Sequence, residues 1–433
     1  MRFHSTRGAP GTDSTRGFSA ALRQGLAADG GLFVPDSWPR IDWLDWPSPL
    51  SLAAVAGRVI APFAAADVLN ESLAKIVTEV FTFPAPLVPV TPDAGLNVLE
   101  LFHGPTAAFK DFGARFLAAS FERLMHAGQR PLKILVATSG DTGGAVAAAF
   151  HRRPGIEIAV LFPRGLVSPT QQQQLTCWGD NVLALALDGT FDDCQRMVKL
   201  AFADAELRRR FELSSANSIN LGRLLPQTVY YAATSVQLWR QQQRPTSFVI
   251  PSGNLGNAVA CVWARQLGFP IAAIVLAHNA NRTVPDYLES GHWAPRPSVA
   301  TLASAMDVGH PSNMERLLAL YPDATTMRGA LDAFSVDDAA IKARIRSDFE
   351  QYGKIWCPHT AAAAEAYARL PPDRRARGPW VIVATAHPAK FCEIVEPLIG
   401  RALDVPAVLR QLFERPSQYT EIAATLDSLR MAL

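Results

Sequence analysis

Cysteine is scarce in this chain and scattered: five among 433 residues, at positions 177, 194, 261, 357 and 392, with no Cys-x-x-Cys pair. An odd, dispersed set argues against a disulfide framework and a zinc site, and fits free thiols in a reducing compartment, the cytoplasm. No apolar run reaches the roughly 18 residues that cross a bilayer. The opening Met1-Arg2-Phe3-His4-Ser5-Thr6-Arg7 has no apolar signal core, so neither a membrane span nor a secretory leader is expected. A charge excess is missing too: 41 basic against 39 acidic residues leave a formal +2, without a basic stripe. Nucleic acid and membrane are therefore not expected partners. No Gly-Lys-Ser/Thr closes a glycine-rich loop and no dinucleotide fingerprint stands at the proper spacing, which disfavours nucleotides.

What is present is ordinary globular material, 49% hydrophobic and 18% charged. The length exceeds a usual single core, so two or more packed units are expected. The first ninety or so residues carry a turn-rich GLAADGGLFVP segment (25–35), Ala/Leu/Val helical stretches and a proline-rich connector with Trp43 and Trp46. From about residue 130 short apolar runs alternate with helical stretches. Strands are predicted at 132–138, 156–162, 182–187, 247–250, 271–276 and 380–384. Helices are predicted at 145–151, 168–178, 191–205 and 256–267. This alternation implies an α/β fold of two parallel-sheet units covered on both faces, preceded by a mainly helical N-terminal module. Residues 285–350, irregular and proline-bearing, read as an insertion or lid. The expected division is 1–92, 93–400 and a helical tail over 401–433.

Three segments carry chemistry. In His103-Gly104-Pro105-Thr106-Ala107-Ala108-Phe109-Lys110-Asp111-Phe112 a lysine sits between two phenylalanines. Such a lysine either snorkels past the rings to water or is poorly solvated, with a lowered pKa and a nucleophilic amine. Two glycine-rich strand-to-helix loops, Thr138–Gly144 and Pro251–Asn257, stand where open α/β sheets bind ligands and offer free amides to an anion. A lysine amine together with two phosphate-holding loops points to a phosphorylated aldehyde cofactor, pyridoxal 5'-phosphate. Lys133, within a strand, and Lys390 are the competing cofactor lysines.

The motifs GLAADGGLFVP, LELFHGPTAAFKDFGARF (99–116), TSGDTGGAV (138–146), NSINLGRLLPQ (217–227), PSGNLG (251–256), AMDV (305–308) and TAHPAKF (385–391) follow one another over nearly the whole length. In that order they resemble the threonine synthases, fold-type II pyridoxal-phosphate enzymes, in the longer form with an N-terminal module. The resemblance implies that Lys110 forms the Schiff base with the cofactor and that Gly253, Asn254, Leu255, Gly256 and Asn257 hold its phosphate. It further implies that Asp141 faces the phenolic oxygen and that the Thr385 hydroxyl meets the pyridine nitrogen. Ser139, Thr142, Ser218, Arg223 and Asn254 would hold the substrate's phosphate; read without it, Ser218 is a helix cap and Arg223 a solvated helix residue. The implied reaction converts O-phospho-L-homoserine and water to L-threonine and phosphate, by a monomer or homodimer. Another fold-type II lyase, a serine/threonine dehydratase or a phospholyase, is the alternative. Leu166 and Leu255 depart from the residues frequent in the family, and Trp356–Thr360 follows its pattern only in part.

Overall fold

A computed structural model describes residues 1–8, 15–90, 95–125 and 130–433. Two sheets organise it. The larger has six strands in the order Asp332–Ser335, Ile271–His278, Thr246–Pro251, Trp380–Ala384, Leu96–Glu100, Leu87–Pro89. Its neighbours run parallel except the last pair, where Leu87–Pro89 lies antiparallel on Leu96–Glu100. The smaller has five parallel strands in the order Thr420–Ala423, Val182–Asp188, Ile156–Pro163, Leu132–Ala137, Glu212–Ser215. The expected α/β architecture is therefore present, with one antiparallel edge.

Unbroken apolar strands make sense here because helices cover both sheet faces. Leu132–Ala137 and Trp380–Ala384 are buried at every residue. Lys133 is the one ionisable residue of the first; its ammonium pairs with Glu157 at 2.5 Å and lies 4.3 Å from the Phe211 ring centre. That side chain is spent on the sheet surface, which removes Lys133 as a rival cofactor lysine.

The N-terminal module pairs Phe3–Ser5 antiparallel with Phe33–Pro35 and adds the helices Phe18–Gln24, Leu52–Ala64 and Leu73–Val80. It has no separate core. Phe3 meets Phe18, and Phe18 meets Phe116 of the helix Lys110–Leu124, with ring centres 5.8 and 6.4 Å apart. Arg23 grips Glu212 of the smaller sheet with both carboxylate oxygens engaged. The guanidinium of Arg316, fully buried, donates to the carbonyls of Phe33 and Ile219. Burial pulls its pKa down to about 9.

Several expected boundaries move. The stretch 285–350 is not an insertion: Asp332–Ser335 extends the larger sheet as its edge strand, and Asp338–Tyr352 is a helix. Mixed polarity hid the strand, because an edge position needs only partial burial. The tail 401–433 is not only helical, since Thr420–Ala423 closes the smaller sheet beside Val182–Asp188. The predicted helix 191–205 breaks at Asp204, whose side chain caps a new helix, Ala205–Arg210. The predicted helix 145–151 starts earlier, at Asp141. Leu96–Glu100, unpredicted, is a central strand interrupted by polar Asn97 and Glu100. The proposed boundary at 92/93 lies outside the described residues. No described helix is long and apolar enough to cross a membrane.

Gly113 allows the helix Lys110–Leu124 to touch the turn Leu221–Leu224. A Cβ there would stand 2.3 Å from the Arg223 carbonyl oxygen. Alanine gains at most about 1 kcal/mol of helix propensity over glycine, whereas overpacking against backbone costs roughly 1–3 kcal/mol. Gly113→Ala is expected to lower the midpoint of denaturant unfolding; an unchanged midpoint would refute this close packing.

Candidate active site

The segment before Lys110 crosses from one sheet to the other. Phe109 donates its N–H to the Thr385 carbonyl and His387 donates to the Ala107 carbonyl, so Ala108 bridges Ala386 like a short strand. Ala107 takes φ 52° to make the turn. Asp111 then fixes the chain by accepting from both the N–H and the hydroxyl of Thr106, at 2.9 and 2.7 Å. Gly104 is required beside it, since a Cβ would lie 2.4 Å from Asp111 Oδ2. Lys110 thereby begins its helix next to the strand end at Thr385.

The pair of flanking phenylalanines behaves differently from expectation. The Lys110 ammonium is 5.1 Å from the Phe109 ring centre. Phe112, two residues on, faces away into the core among Phe81, Phe83 and Tyr230, as helical geometry demands. The Lys110 amine is nonetheless held below its ordinary pKa. Burial is the main cause; the cations of Lys390 and Arg223 add to it, and Asp141 opposes it.

Asp141 opens the helix Asp141–Phe150 with its side chain 3% exposed. One oxygen lies 2.7 Å from the Lys390 ammonium and the other 3.5 Å from that of Lys110. Burial disfavours the carboxylate, but the two lysines hold its pKa below the usual range. His359, on the helix Pro358–Ala368, completes the group. Its Nε2 accepts from the Ala305 N–H, which places the neutral ring's proton on Nδ1, buried and without an acceptor. Burial brings its pKa down to about 4.

The two loops hold unmatched donors. Between Thr246–Pro251 and the helix Gly256–Gln266, the N–H groups of Gly253, Asn254, Leu255, Gly256 and Asn257 donate to no acceptor among the described residues. Leu255 adopts a left-handed φ of 63°, and Gly253 packs so closely that a Cβ would stand 2.7 Å from Met306 Cα. Asn257 accepts from Tyr230 and Tyr231 through Oδ1, leaving its buried amide N–H₂ unpartnered. Such a nest at a helix N-terminus suits a phosphate.

In the first loop the Thr138 hydroxyl is used internally, accepting from Gly140 and Gly143. Ser139 and Thr142 stay half-buried beside it. Asn254 joins this side of the cleft to the other: its amide donates to Ser218 Oγ at 2.7 Å and its oxygen accepts from Ser312. Arg223 is buried and donates to the Ala216 carbonyl, while its Nε has no acceptor. Burial takes its pKa down to about 10 against the more distant charge of Asp111, and no carboxylate among the described residues forms an ion pair with it. The solvated reading of Arg223 is thus excluded. An anion brought to its free edge would find a cation already stripped of water.

Comparison with known proteins decides the lineage. The pyridoxal-phosphate dependent enzyme family model matches residues 82–386, the threonine synthase N-terminus model 2–81, and the threonine synthase C-terminal model 360–432. Threonine synthase of Serratia marcescens is 39% identical over 96% of this chain and 96% of the relative; that of Escherichia coli (strain K12) is 39% identical over 95% of each. The chain belongs to the threonine synthase family. The crystal structure of Escherichia coli threonine synthase superposes with a TM-score of 0.88 at 36% identity, covering 100% of this chain and 99% of that one. The pyridoxal-phosphate-bound threonine synthase of Brucella melitensis gives 0.89 at 36%, covering 100% and 98%. A threonine deaminase of Solanum lycopersicum, at 16% identity and 0.55, shares the fold alone.

As a member of the threonine synthase family the protein is a pyridoxal-phosphate-dependent lyase acting on a small molecule. The residues present fit that cofactor: a poorly solvated lysine amine stands beside a buried carboxylate, with a nest of five unmatched N–H groups on the 253–257 loop. Sequence reasoning passed over Lys390, His359, Asn313 and Arg316. Lys390 was weighed only as a rival cofactor lysine, and His359 lay in the partly matching Trp356–Thr360 stretch. Asn313 donates to the carbonyls of Asn254 and Ser218, and accepts from Arg316. Its neighbours in sequence gave no signal of this.

Two buried histidines set a pH dependence. His278 and His359 are pushed down to about 3 and about 4 by burial, against an ordinary value near 6.5. The unfolded chain therefore takes up protons near pH 6.5 that the native state refuses, so stability is full above that pH and lost as pH falls toward 4. The melting temperature is expected to drop between pH 6.5 and 4.5, and less steeply in His359→Gln. Parallel curves for the two proteins would refute the assignment.

Proposed function

We propose that the protein converts O-phospho-L-homoserine and water to L-threonine and inorganic phosphate, acting in the cytoplasm. The observation that carries this reading is the pairing of two separate anion-receptive places around one deprotonatable lysine. The 253–257 nest suits the cofactor's phosphate, and the free edge of Arg223 with Ser218, Ser139, Thr142 and Asn254 suits the substrate's. A dehydratase of unphosphorylated hydroxy-amino acids has no need of the second. The five cysteines, all free thiols, agree with a reducing compartment.

Pyridoxal phosphate, when bound, supplies an electrophilic carbon and an electron sink for the substrate's α carbon. Lys110 would hold it through the amine, Gly253–Asn257 its phosphate, with Asp141 toward the phenolic oxygen and Thr385 toward the ring nitrogen. The Thr385 carbonyl is already committed to Phe109, which fixes that strand end against the lysine.

Lys110, as a neutral amine beside the substrate chain, would be the base that removes the α proton. It then moves protons at the β and γ carbons. The γ C–O bond breaks and phosphate departs. Arg223 stabilises the leaving charge in a dry setting where a cation acts strongly. Water adds its oxygen at the β carbon and gives its other proton to the departed phosphate, while the protons taken from the α and β carbons are returned to the α and γ carbons, the latter becoming the methyl group of threonine. His359, neutral and buried, and the 253–257 backbone keep the setting rigid.

Lys110→Ala is expected to lose the visible absorbance of the cofactor-loaded protein; a retained band would move the cofactor to another lysine. Arg223→Ala is expected to raise the KM for O-phospho-L-homoserine roughly 100-fold, the scale of losing a charge-assisted contact, with cofactor still bound. Cofactor loss would instead put Arg223 in the other phosphate place. Assaying threonine against a 2-oxo acid tests the reaction itself, and a 2-oxo acid as the main product would make the protein a phospholyase.

A further inference from the structure

Two lysines and one carboxylate share a buried space, and the reaction as read above uses only one of the lysines. Lys390 is 0% exposed and sits in the short helical turn Pro388–Phe391, which follows directly from the strand end at Thr385. Its ammonium lies 2.7 Å from Asp141 and donates to the Thr106 carbonyl at 3.0 Å. Lys110 is more weakly placed. It stands 3.5 Å from the same carboxylate, is 15% exposed on the cleft side, and has a phenyl ring for its other neighbour.

A buried group of two cations and one anion carries a net positive charge unless one lysine gives up its proton. The lysine with the shorter ion contact and a second acceptor retains it. The other becomes a free amine. The remaining charged or titratable neighbours push the same way or are already engaged: Arg223 is a further cation, His359 is neutral, the Cys357 thiol is kept protonated by burial, and Asp111 is bound by Thr106.

We propose that Lys390 is a positioning residue for the reaction: by closing an ion pair with Asp141 it releases Lys110 from that carboxylate and leaves the Lys110 amine free to act as the base. The carboxylate in turn stays charged toward the cofactor without attracting a proton onto the lysine beside it. This rests on Lys110 being the reactive lysine, as in the proposed function. The direction of the Lys110 pKa, lowered in part by the Lys390 charge, accords with it.

The test combines three full-length variants, Lys390→Met, Lys390→Arg and the double Lys390→Met/Asp141→Asn. Competitive labelling of the cofactor-free chain with trace acetic anhydride, read by peptide mass spectrometry across pH, gives the Lys110 pKa directly. The acid limb of the kcat profile gives it in the loaded enzyme. In Lys390→Met both are expected to move up by at least one pH unit, a tenfold gain in proton affinity, because Asp141 is left with Lys110 as its sole partner. Lys390→Arg is expected to keep the wild-type value. The double variant, which removes the pair without stranding a charge and so folds even where Lys390→Met does not, is expected to return the labelling curve to within half a unit of wild type. A Lys110 value unchanged in Lys390→Met, or a double variant still a unit high, overturns the inference. Borohydride reduction of the loaded enzyme separates this from the underlying reading: cofactor trapped on Lys390 would overturn the choice of Lys110 itself.

Discussion

Everything in the cleft answers to one electrostatic constraint: buried charge must be balanced by charge of opposite sign at contact distance. Asp141 is tolerable in the interior because the Lys390 ammonium lies against it with the Lys110 amine beyond, and the Lys390 ammonium is tolerable because Asp141 is there. The three side chains come from three elements of distant sequence position: the helix begun at Lys110, the helix begun at Asp141, and the turn after Thr385. The charge cluster thus forms only when both sheets are assembled and the 107–109 segment has paired with 385–387. Chemistry and tertiary structure are tied by the same contacts.

Around the cluster, polar groups divide into those satisfied by the protein and those left open. Thr138, Asp111, Asn313 and Arg316 are occupied with backbone groups and hold loops in shape. The amides of 253–257, Arg223 Nε and the Asn257 amide are open. An interior rarely leaves donors unmatched without a reason, and the 253–257 loop holds several of them side by side at one helix N-terminus. Shape and donor count, rather than any single residue, mark the site.

Much of this was legible in the sequence, for definite reasons. Apolar runs such as Leu132–Ala137 and Trp380–Ala384 announce buried strands because a parallel sheet permits little else, and glycine-rich loops announce close backbone approach. What stayed hidden depended on the third dimension. Leu96–Glu100 is an interior strand yet polar at Asn97 and Glu100, because those two positions are only partly buried. Thr420–Ala423 is an edge strand with mostly exposed residues. Phe112 flanks Lys110 in sequence but turns to the core, and the groups that depress the lysine, Lys390 and Arg223, lie far along the chain. Proximity in sequence suggested a poorly solvated amine, and burial is the main cause, but only one of the two flanking rings takes part in it.

The pairing of Leu96–Glu100 with Trp380–Ala384 has a consequence for assembly. Neighbouring strands in the middle of the larger sheet are separated by most of the polypeptide, so a long loop must close before either gains its partner. Contacts of such range slow folding and leave a growing chain with an open sheet edge for as long as the second strand is unavailable. Strand edges held open in this way invite pairing with other chains. The larger sheet therefore closes late, when the strand Trp380–Ala384 has arrived, whatever the stability of the finished fold.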